Sequence, residues 1–291
     1  MRRVSITKFW WVPILLIATT GCVFNVGQWD SQSGSISTRN GTMYMDGVEL
    51  AFDRWVDVQA EMGEATNANI STATGEITLR GTSGSAVNLQ VHLHSEFEGD
   101  GSARFAEGKL DAVEGSGKVF INDVRGTIPD GVSVSLSTGT GWIRLEDMKG
   151  NRTLELNSGT GPIDLGNSTA GMVEVAMGTS EIRLTGTQAD RIQVETGTGD
   201  LSITGGGAGS LEVDTGTGDV TLSSARFDSI LVDSGTGDVV LDDCEAGRVE
   251  VDSGTGDLTL RGGRCEAVEL DSGTGDLRIR EGAVVGVTRE K

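Results

Sequence analysis

The sequence predicts an all-β protein, a single-stranded parallel β-helix (β-solenoid) with about 19 residues per turn. The first observation is a Gly-Thr-Gly corner, or a close variant, that returns after one gap of 20 residues with a constant spacing of 19. The second is a composition of 44 Gly and 3 Pro with only 4% aromatic residues, which is typical of a turn-rich β protein with an aliphatic core. The first glycines of the corners are Gly139, Gly159, Gly178, Gly197, Gly216, Gly235, Gly254 and Gly273.

The third observation is the pattern of apolar residues around each corner. With the first glycine as position 0, positions −5, −3, +4 and +6 hold Val, Ile or Leu in every copy; the copy at Gly254 has Val249, Val251, Leu258 and Leu260. Apolar residues at i and i+2 share one face of a strand but not of a helix. Each repeat therefore predicts two short strands joined by a glycine corner, and stacked repeats place these residues in internal columns.

The regular repeats span residues 134–279, and weaker copies of the template lie upstream. Residues 73–79 copy the corner and second strand, and Leu110, Ala112, Val119 and Ile121 flank another glycine corner in register. These copies predict that the regular turns begin near Asn67, within a β-solenoid domain of residues 47–291 whose first part, 47–66, caps the first turn. Residues 22–46 are predicted to form a surface tether.

Residues 1–21 are predicted to be a signal peptide. Arg2, Arg3 and Lys8 precede a short apolar run, and small residues lead to Cys22. The Gly-Cys ending resembles the bacterial lipobox, which implies lipidation of Cys22 and a membrane anchor, although Thr19 replaces the usual Leu. The alternative is ordinary signal cleavage with a free Cys22. Val23 replaces the Asp that retains lipoproteins in the inner membrane, which favours the outer membrane.

The segments TIPDGVSVSLSTGTGWIRL and LELNSGTGPIDL, followed by the VEVDSGTGD copies, resemble the bacterial putative adhesin family, a domain of unknown function. The resemblance covers roughly residues 67–285 and implies a β-solenoid at the cell envelope. It implies no catalytic residue.

Charge excludes one class of partner and suggests one ligand. A formal charge of −20 repels phosphate backbones, so nucleic acid is not expected as a partner.

Two outward positions carry acids in the later turns, position −2 with Asp214, Asp233, Asp252 and Asp271, and position +3 with Asp219, Asp238, Asp257 and Asp276. Stacked carboxylates repel one another, so the sequence leaves two interpretations open: bound Ca²⁺, or Asp side chains that accept hydrogen bonds from corner amides.

Two further features are candidate structural or contact sites. Cys244 and Cys265 lie on neighbouring turns, where they either form a disulfide or remain as separate thiols. In the Gly235 copy the outward positions hold Leu231 and Val240, with Phe227 just before them, which suggests an apolar contact patch.

Function is expected to be noncatalytic: an adhesin-like scaffold or binding module on an envelope lipoprotein. The alternative is a polysaccharide-active β-helix enzyme, a lyase or hydrolase. Such enzymes concentrate carboxylates at one place beside aromatic residues, whereas here the acids recur in every late turn.

His92 and His94 are the only histidines. They share a strand face with Gln90 and Glu96, and without a third convincing ligand they indicate a polar face rather than a metal site.

Overall fold

The computed structural model describes residues 35–39 and 41–290, so the predicted signal peptide and Cys22 lie outside the described residues. The regular structure of this part is entirely β. Between residues 35 and 290, no helix is long and apolar enough to span a membrane.

Ten strands form the first part of the fold. They are β1 (Ile36–Arg39), β2 (Thr42–Met45), β3 (Val48–Leu50), β4 (Phe52–Glu61), β5 (Asn67–Thr72), β6 (Ile77–Thr82), β7 (Ala86–Ser95), β8 (Ser102–Ala106), β9 (Lys109–Val113) and β10 (Val119–Pro129).

The remaining strands alternate between longer and shorter ones. They are β11 (Ser133–Thr138), β12 (Ile143–Glu146), β13 (Asn151–Ser158), β14 (Ile163–Gly166), β15 (Thr169–Thr179), β16 (Ile182–Thr185), β17 (Gln188–Thr198), β18 (Leu201–Thr204), β19 (Gly207–Thr217), β20 (Val220–Ser223), β21 (Arg226–Thr236), β22 (Val239–Asp242), β23 (Glu245–Thr255), β24 (Leu258–Arg261), β25 (Arg264–Thr274), β26 (Leu277–Ile279) and β27 (Val284–Glu290).

The chain coils into a parallel β-solenoid, which confirms the predicted fold class. Sheet 1 has the strand order β26-β24-β22-β20-β18-β16-β14-β12-β6-β10-β7-β4, and sheet 2 has the order β27-β25-β23-β21-β19-β17-β15-β13-β11-β5-β9-β8. Each strand from β13 to β25 pairs in parallel with the strand one turn away; for example, Val251 lies between Val232 and Leu270. Both sheets supply apolar side chains to a single core.

Glycine is required at the first corner because neighbouring turns pass close to one another. A Cβ on Gly235 would lie 2.6 Å from the carbonyl oxygen of Gly216, a contact that real Cβ atoms do not make. Any larger residue would push the two turns apart, which is why the corner sequence repeats so strictly.

A second corner, which the sequence pattern did not reveal, closes each turn after the shorter strand. Its central residue has a left-handed backbone in successive turns: Asn167, Gly186, Gly205, Ser224, Asp243 and Gly262, with φ of 47, 61, 67, 52, 51 and 61°. The residue type changes from turn to turn, but Gly, Asn and Asp tolerate this conformation best. The conformation is therefore conserved along the rod even though the sequence is not.

Antiparallel strands cap the first turns. β4 pairs with β7 and β7 with β10, both antiparallel, before β10 joins β6 in parallel. The predicted cap of residues 47–66 thus corresponds mainly to β4, and β5 starts the parallel stacking at Asn67, where the sequence indicated.

The predicted tether is partly folded. Strands β1, β2 and β3 form an antiparallel sheet, in which Ile36, Met43 and Met45 pack with Leu50 on Phe120. The apolar residues of this hairpin are spaced among polar ones, so its composition looked like that of a linker.

Candidate functional site

A cluster of charged and aromatic side chains lies on the outer face of sheet 1, in the cap. We call it the His92 cluster, and it comprises Asp53, Trp55, His92, Asp123 and Arg125. Antiparallel pairing places Trp55 of β4 directly opposite His92 of β7. A register shift in β10 between Ile121 and Val124 brings Asp123 to the other side of the histidine.

Both ring nitrogens of His92 face a carboxylate. Nδ1 lies 2.9 Å from Oδ2 of Asp123, and Nε2 lies 3.0 Å from Oδ2 of Asp53. A neutral imidazole has only one N–H donor, so hydrogen bonds to both carboxylates require the imidazolium form. The geometry therefore holds a positive charge between two negative ones on three neighbouring strands.

Titration of the cluster follows from this geometry. Burial disfavours the charged ring, but hydrogen bonds to Asp53 and Asp123 outweigh it and raise the pKa of His92 above its ordinary value. The hydrogen bond from His92 lowers the pKa of Asp53. Burial, followed by the charge of His92, lowers the pKa of His94, whose ring centroid lies 4.8 Å from that of His92.

Trp55 joins the two positively charged side chains of the cluster. Its ring stacks on His92 with centroids 4.8 Å apart and an interplanar angle of 8°, and the guanidinium carbon of Arg125 lies 4.2 Å from its centroid. The Trp55 side chain is nevertheless 43% exposed. This arrangement supplies apolar contact area, hydrogen-bond donors and acceptors, and both signs of charge on one small surface, which are the features of recognition sites.

The sequence marks His92 and His94 as a polar face but does not reveal the partners of His92. Asp53 and Asp123 are 39 and 31 residues away and reach the histidine only through antiparallel pairing and the β10 irregularity. Of the predicted neighbours, Gln90 is connected to the cluster, since its Oε1 accepts from Nε of Arg125 at 2.9 Å while its side-chain amide donates to Asp57. Glu96 instead accepts from the amide of Lys118. A one-dimensional periodicity carries no signal for such long-range contacts.

The acids at position +3 accept hydrogen bonds from corner amides, as the second interpretation of the sequence predicted. In four successive turns, from Asp200 to Asp257, Oδ1 of the carboxylate accepts from the backbone N–H of the equivalent Asp in the next turn. The N–O distances are 2.9 Å for Asp219 to Asp200, 2.9 Å for Asp238 to Asp219, 2.8 Å for Asp257 to Asp238 and 2.8 Å for Asp276 to Asp257. In the last turn, Arg278 also pairs with Asp257 and Asp276.

The acids at position −2 form a separate column on sheet 2. Asp214, Asp233, Asp252 and Asp271 are in direct register. Burial, followed by the charges of Asp233 and Glu212, raises the pKa of Asp214. In the described part of the chain, no three His, Cys, Asp or Glu side chains form a group that could hold a metal ion. The structure thus assembles no calcium site from these columns, and Ca²⁺ binding remains a hypothesis for the melting experiment below.

The two cysteines are free thiols, in contrast to the disulfide considered from their spacing. Their separation is one period plus two residues, so Cys265 pairs in the ladder with Ala246 rather than with Cys244. The Cys244 thiol instead lies 3.2 Å from the carbonyl oxygen of Leu222, to which it donates. Burial, followed by the neighbouring Cys244, raises the pKa of Cys265 to about 11, so this thiol is protonated at neutral pH.

The predicted contact patch does not form as one surface. Phe227 is only 2% exposed and packs in the core, in register between Ala208 and Ala246. Leu231 is 40% exposed but lies on sheet 2, whereas Val240 lies on sheet 1. The two sheets share one core, so their outer faces point in different directions and these side chains cannot make one patch.

Comparison with known proteins gives one family match and similarities to solved structures. The model of the Toastrack DUF4097 family matches residues 107–226 and 207–288. A putative adhesin from Bacteroides fragilis is similar in structure at 12% identity and a TM-score of 0.39, over 82% of this chain and 97% of that one. A putative adhesin from Parabacteroides merdae is similar at 9% identity and a TM-score of 0.31, over 82% of this chain and 96% of that one. No curated protein matches the chain.

Proposed function

Because the chain belongs to the Toastrack DUF4097 family, we propose that it is a noncatalytic, adhesin-like binding or scaffold module of the cell envelope. The regular turns serve as a rigid rod, since every turn repeats the same core positions and the later turns also repeat the same outward acids. An irregular surface at the capped end, the His92 cluster, serves as the binding face. A partner is expected to contact the exposed Trp55 and its charged neighbours.

The single observation that carries this proposal is the different distribution of side chains in the two parts of the molecule. In the regular turns the outward groups form columns and hydrogen-bond to their own neighbours, as the Asp219–Asp238–Asp257 series does. In the cap, by contrast, Trp55, His92 and Arg125 converge on one surface. A scaffold that presents a local recognition surface needs both arrangements.

Attachment to the envelope is proposed to occur through a lipidated Cys22 in the outer membrane. The support is the sequence around this residue, a basic and apolar leader that ends in Gly21-Cys22. A single acyl chain binds membranes only marginally, so stable anchoring requires the several chains that a lipoprotein carries.

Affinity capture with the mature full-length chain tests the binding face. The immobilised protein is exposed to envelope extracts and to a panel of glycans, beside the variants Trp55→Ala and Leu231→Ala. Leu231 is the matched control because it is almost as exposed as Trp55 but lies on sheet 2. We expect Trp55→Ala to weaken capture at least about tenfold, as loss of an aromatic hot spot does, and Leu231→Ala to leave it unchanged.

Two results contradict the proposal. Equal capture by the wild type and Trp55→Ala places the binding face elsewhere. Reproducible depolymerisation of any glycan in the panel by the purified protein establishes the enzyme alternative instead, and loss of that activity in Asp53→Asn or Asp123→Asn would locate it in the His92 cluster.

A further inference from the structure

A column of buried hydroxyl groups runs along the inside of the glycine corner. It occupies the position immediately before the first glycine, and we call it the hydroxyl column: Thr196, Thr215, Ser234, Ser253 and Ser272. These residues are stacked in direct register through five consecutive turns. Thr215 and Ser234 are each 2% exposed. None of the five hydroxyl oxygens has a hydrogen-bond partner within the described part of the chain.

Earlier turns satisfy the same position with protein groups. The amide of Gly141 donates to Oγ1 of Thr138 at 3.0 Å, and this hydroxyl in turn donates to the carbonyl oxygen of Gly75 at 3.0 Å. The amide of Gly161 likewise donates to Oγ of Ser158 at 3.0 Å. A hydroxyl at this position thus closes the corner locally in the first regular turns.

The corner amides have a different partner in the later turns. The second glycine there has a positive φ, 147° for Gly237, and its N–H donates to the carbonyl oxygen of Thr255 in the next turn at 3.0 Å. The following amide, of Asp238, donates to Asp219. Both donors that could reach the hydroxyl are therefore used between turns, which leaves the hydroxyl of Ser234 without either of them.

The spacing of the column matches the dimensions of a water bridge. Neighbouring turns lie about 4.8 Å apart. In the first turns Oγ1 of Thr72 donates directly to Oγ1 of Thr138 at 3.1 Å, whereas among the described residues no such contact joins the hydroxyls of the later column. One water oxygen at ~2.8 Å from each of two such hydroxyls spans ~4.8 Å with an O–O–O angle of about 118°, near the tetrahedral value. Buried polar groups that lack protein partners are commonly satisfied in this way.

We propose that a file of ordered water molecules alternates with the hydroxyl column, one water between each pair of neighbouring turns from Thr196 to Ser272. Each water accepts a bond from one hydroxyl and donates to the next, so the bonds run in one direction and polarise one another. Met177, which occupies the same position in the turn before Thr196 and is buried, closes one end. Ser272, whose hydroxyl oxygen is also buried, lies at the other end.

A pair of Thr→Val variants tests the proposal, because this exchange keeps the shape of the side chain and removes only the hydroxyl. Thr215→Val breaks the middle of the file, and Thr138→Val, at the same repeat position, removes a hydroxyl that bonds to protein groups. Magnetic relaxation dispersion on the folded full-length chain counts long-lived internal waters, and a melting curve measures stability.

We expect Thr215→Val to lose at least one long-lived water and to lower the melting temperature by about 2–4 °C. Thr138→Val is expected to lower the melting temperature without changing the water count. A higher melting temperature for Thr215→Val would mean that its hydroxyl is buried without any partner, and overturns the file. An unchanged water count in Thr215→Val overturns it as well, whatever happens to the melting temperature.

Discussion

Nε2 of His92 lies 3.0 Å from Oδ2 of Asp53, and this contact joins the outermost strand of sheet 1, β4, to β7. The opposite ring nitrogen contacts Asp123 of β10 at 2.9 Å. One protonated ring therefore links three strands of the cap, and its charge state controls how firmly the edge strand is held.

Stability of the cap should fall as the pH rises through the pKa of folded His92. That pKa is raised above the ordinary value of about 6.5, so the contribution of the pair is fully present below pH ~6.5 and disappears above the raised value. We expect the melting temperature to decline across this interval in the wild type and the decline to be much smaller in His92→Gln. His94→Gln is the control and should keep the decline. Equal slopes in all three proteins would contradict the ion-pair geometry.

An acid in an internal column should disrupt the fold. Val251 is buried between Val232 and Leu270, and an unpaired carboxylate there costs about 3 kcal/mol or more. We expect Val251→Asp to lower the denaturation midpoint strongly, with damage concentrated in the adjacent turns because solenoid energetics are nearest-neighbour. Glu250→Gln, on the outer face next to it, should change stability by no more than about 0.5 kcal/mol. Equal midpoints for Val251→Asp and the wild type would exclude the inward assignment.

Replacement of two adjacent serines by glycine should change the stability of the protein in opposite directions. Ser224 has a φ of 52° at the second corner, whereas Ser223 is the last residue of β20. A left-handed L-residue costs ~1–2 kcal/mol and glycine in a strand costs ~0.5–1 kcal/mol, so Ser224→Gly should be stabilising and Ser223→Gly destabilising. Urea midpoints measure both. Destabilisation by Ser224→Gly would indicate that side-chain contacts at this corner outweigh the backbone strain.

The aspartates at position +3 should act as hydrogen-bond acceptors. Oδ1 of Asp238 accepts from the amide of Asp257 at 2.8 Å. Asp238→Asn keeps an acceptor and removes one repelling charge, whereas Asp238→Ala leaves the amide unbonded at a cost of about 1 kcal/mol. We therefore expect the Asn variant to be more stable than the Ala variant. If their midpoints coincide, the side-chain ladder contributes nothing measurable.

Melting curves in CaCl₂ and in NaCl of equal ionic strength decide the calcium hypothesis. We expect the curves to coincide, because the +3 carboxylates already bind corner amides and salt acts on the columns by screening. A specific ligand at a hundredfold excess over its Kd would add about 2.7 kcal/mol. A calcium-specific increase that disappears after replacement of Asp233, Asp238, Asp252 and Asp257 by Asn would establish a calcium site.

Replacement of the predicted lipidation site should release the protein from membranes. Cys22→Ala removes the only residue expected to carry acyl chains, so we expect the protein in the soluble fraction and no incorporation of labelled palmitate. Wild-type protein, expressed in parallel, is the control. Palmitate labelling that persists in Cys22→Ala would contradict the lipoprotein assignment.

The regular turns could be predicted from the sequence because the residue pattern of each repeat by itself specifies the strands and corners that the whole fold uses. Alternating apolar pairs and glycine corners specify the core columns without information from other parts of the chain. The second corner was missed because Gly, Asn, Asp and Ser all serve its left-handed conformation, so no single residue type repeats. The prediction that Phe227 belongs to an outward patch was wrong. The apolar pattern around the glycine corner does not extend to the start of β21, where the Phe227 side chain points into the core in register with Ala208 and Ala246.

The cap and its His92 cluster are less accessible to sequence reasoning. Antiparallel strands with long connections bring Asp53, His92 and Asp123 together, and no periodic pattern links these positions. The side chains of the His92 cluster are thus brought together by pairing between distant strands, which a local sequence pattern does not predict.

The uniform register of the stacked turns has an evolutionary consequence. Each turn from β13 to β25 pairs with its neighbours at equivalent positions, so a duplicated or deleted unit of 19 residues would keep the strand register and the core columns of the stack. Each such event alters the length of the rod by ~4.8 Å. Recombination between similar repeats can therefore adjust the distance between the capped end and the C-terminal turns, in fixed increments and without redesign of the core.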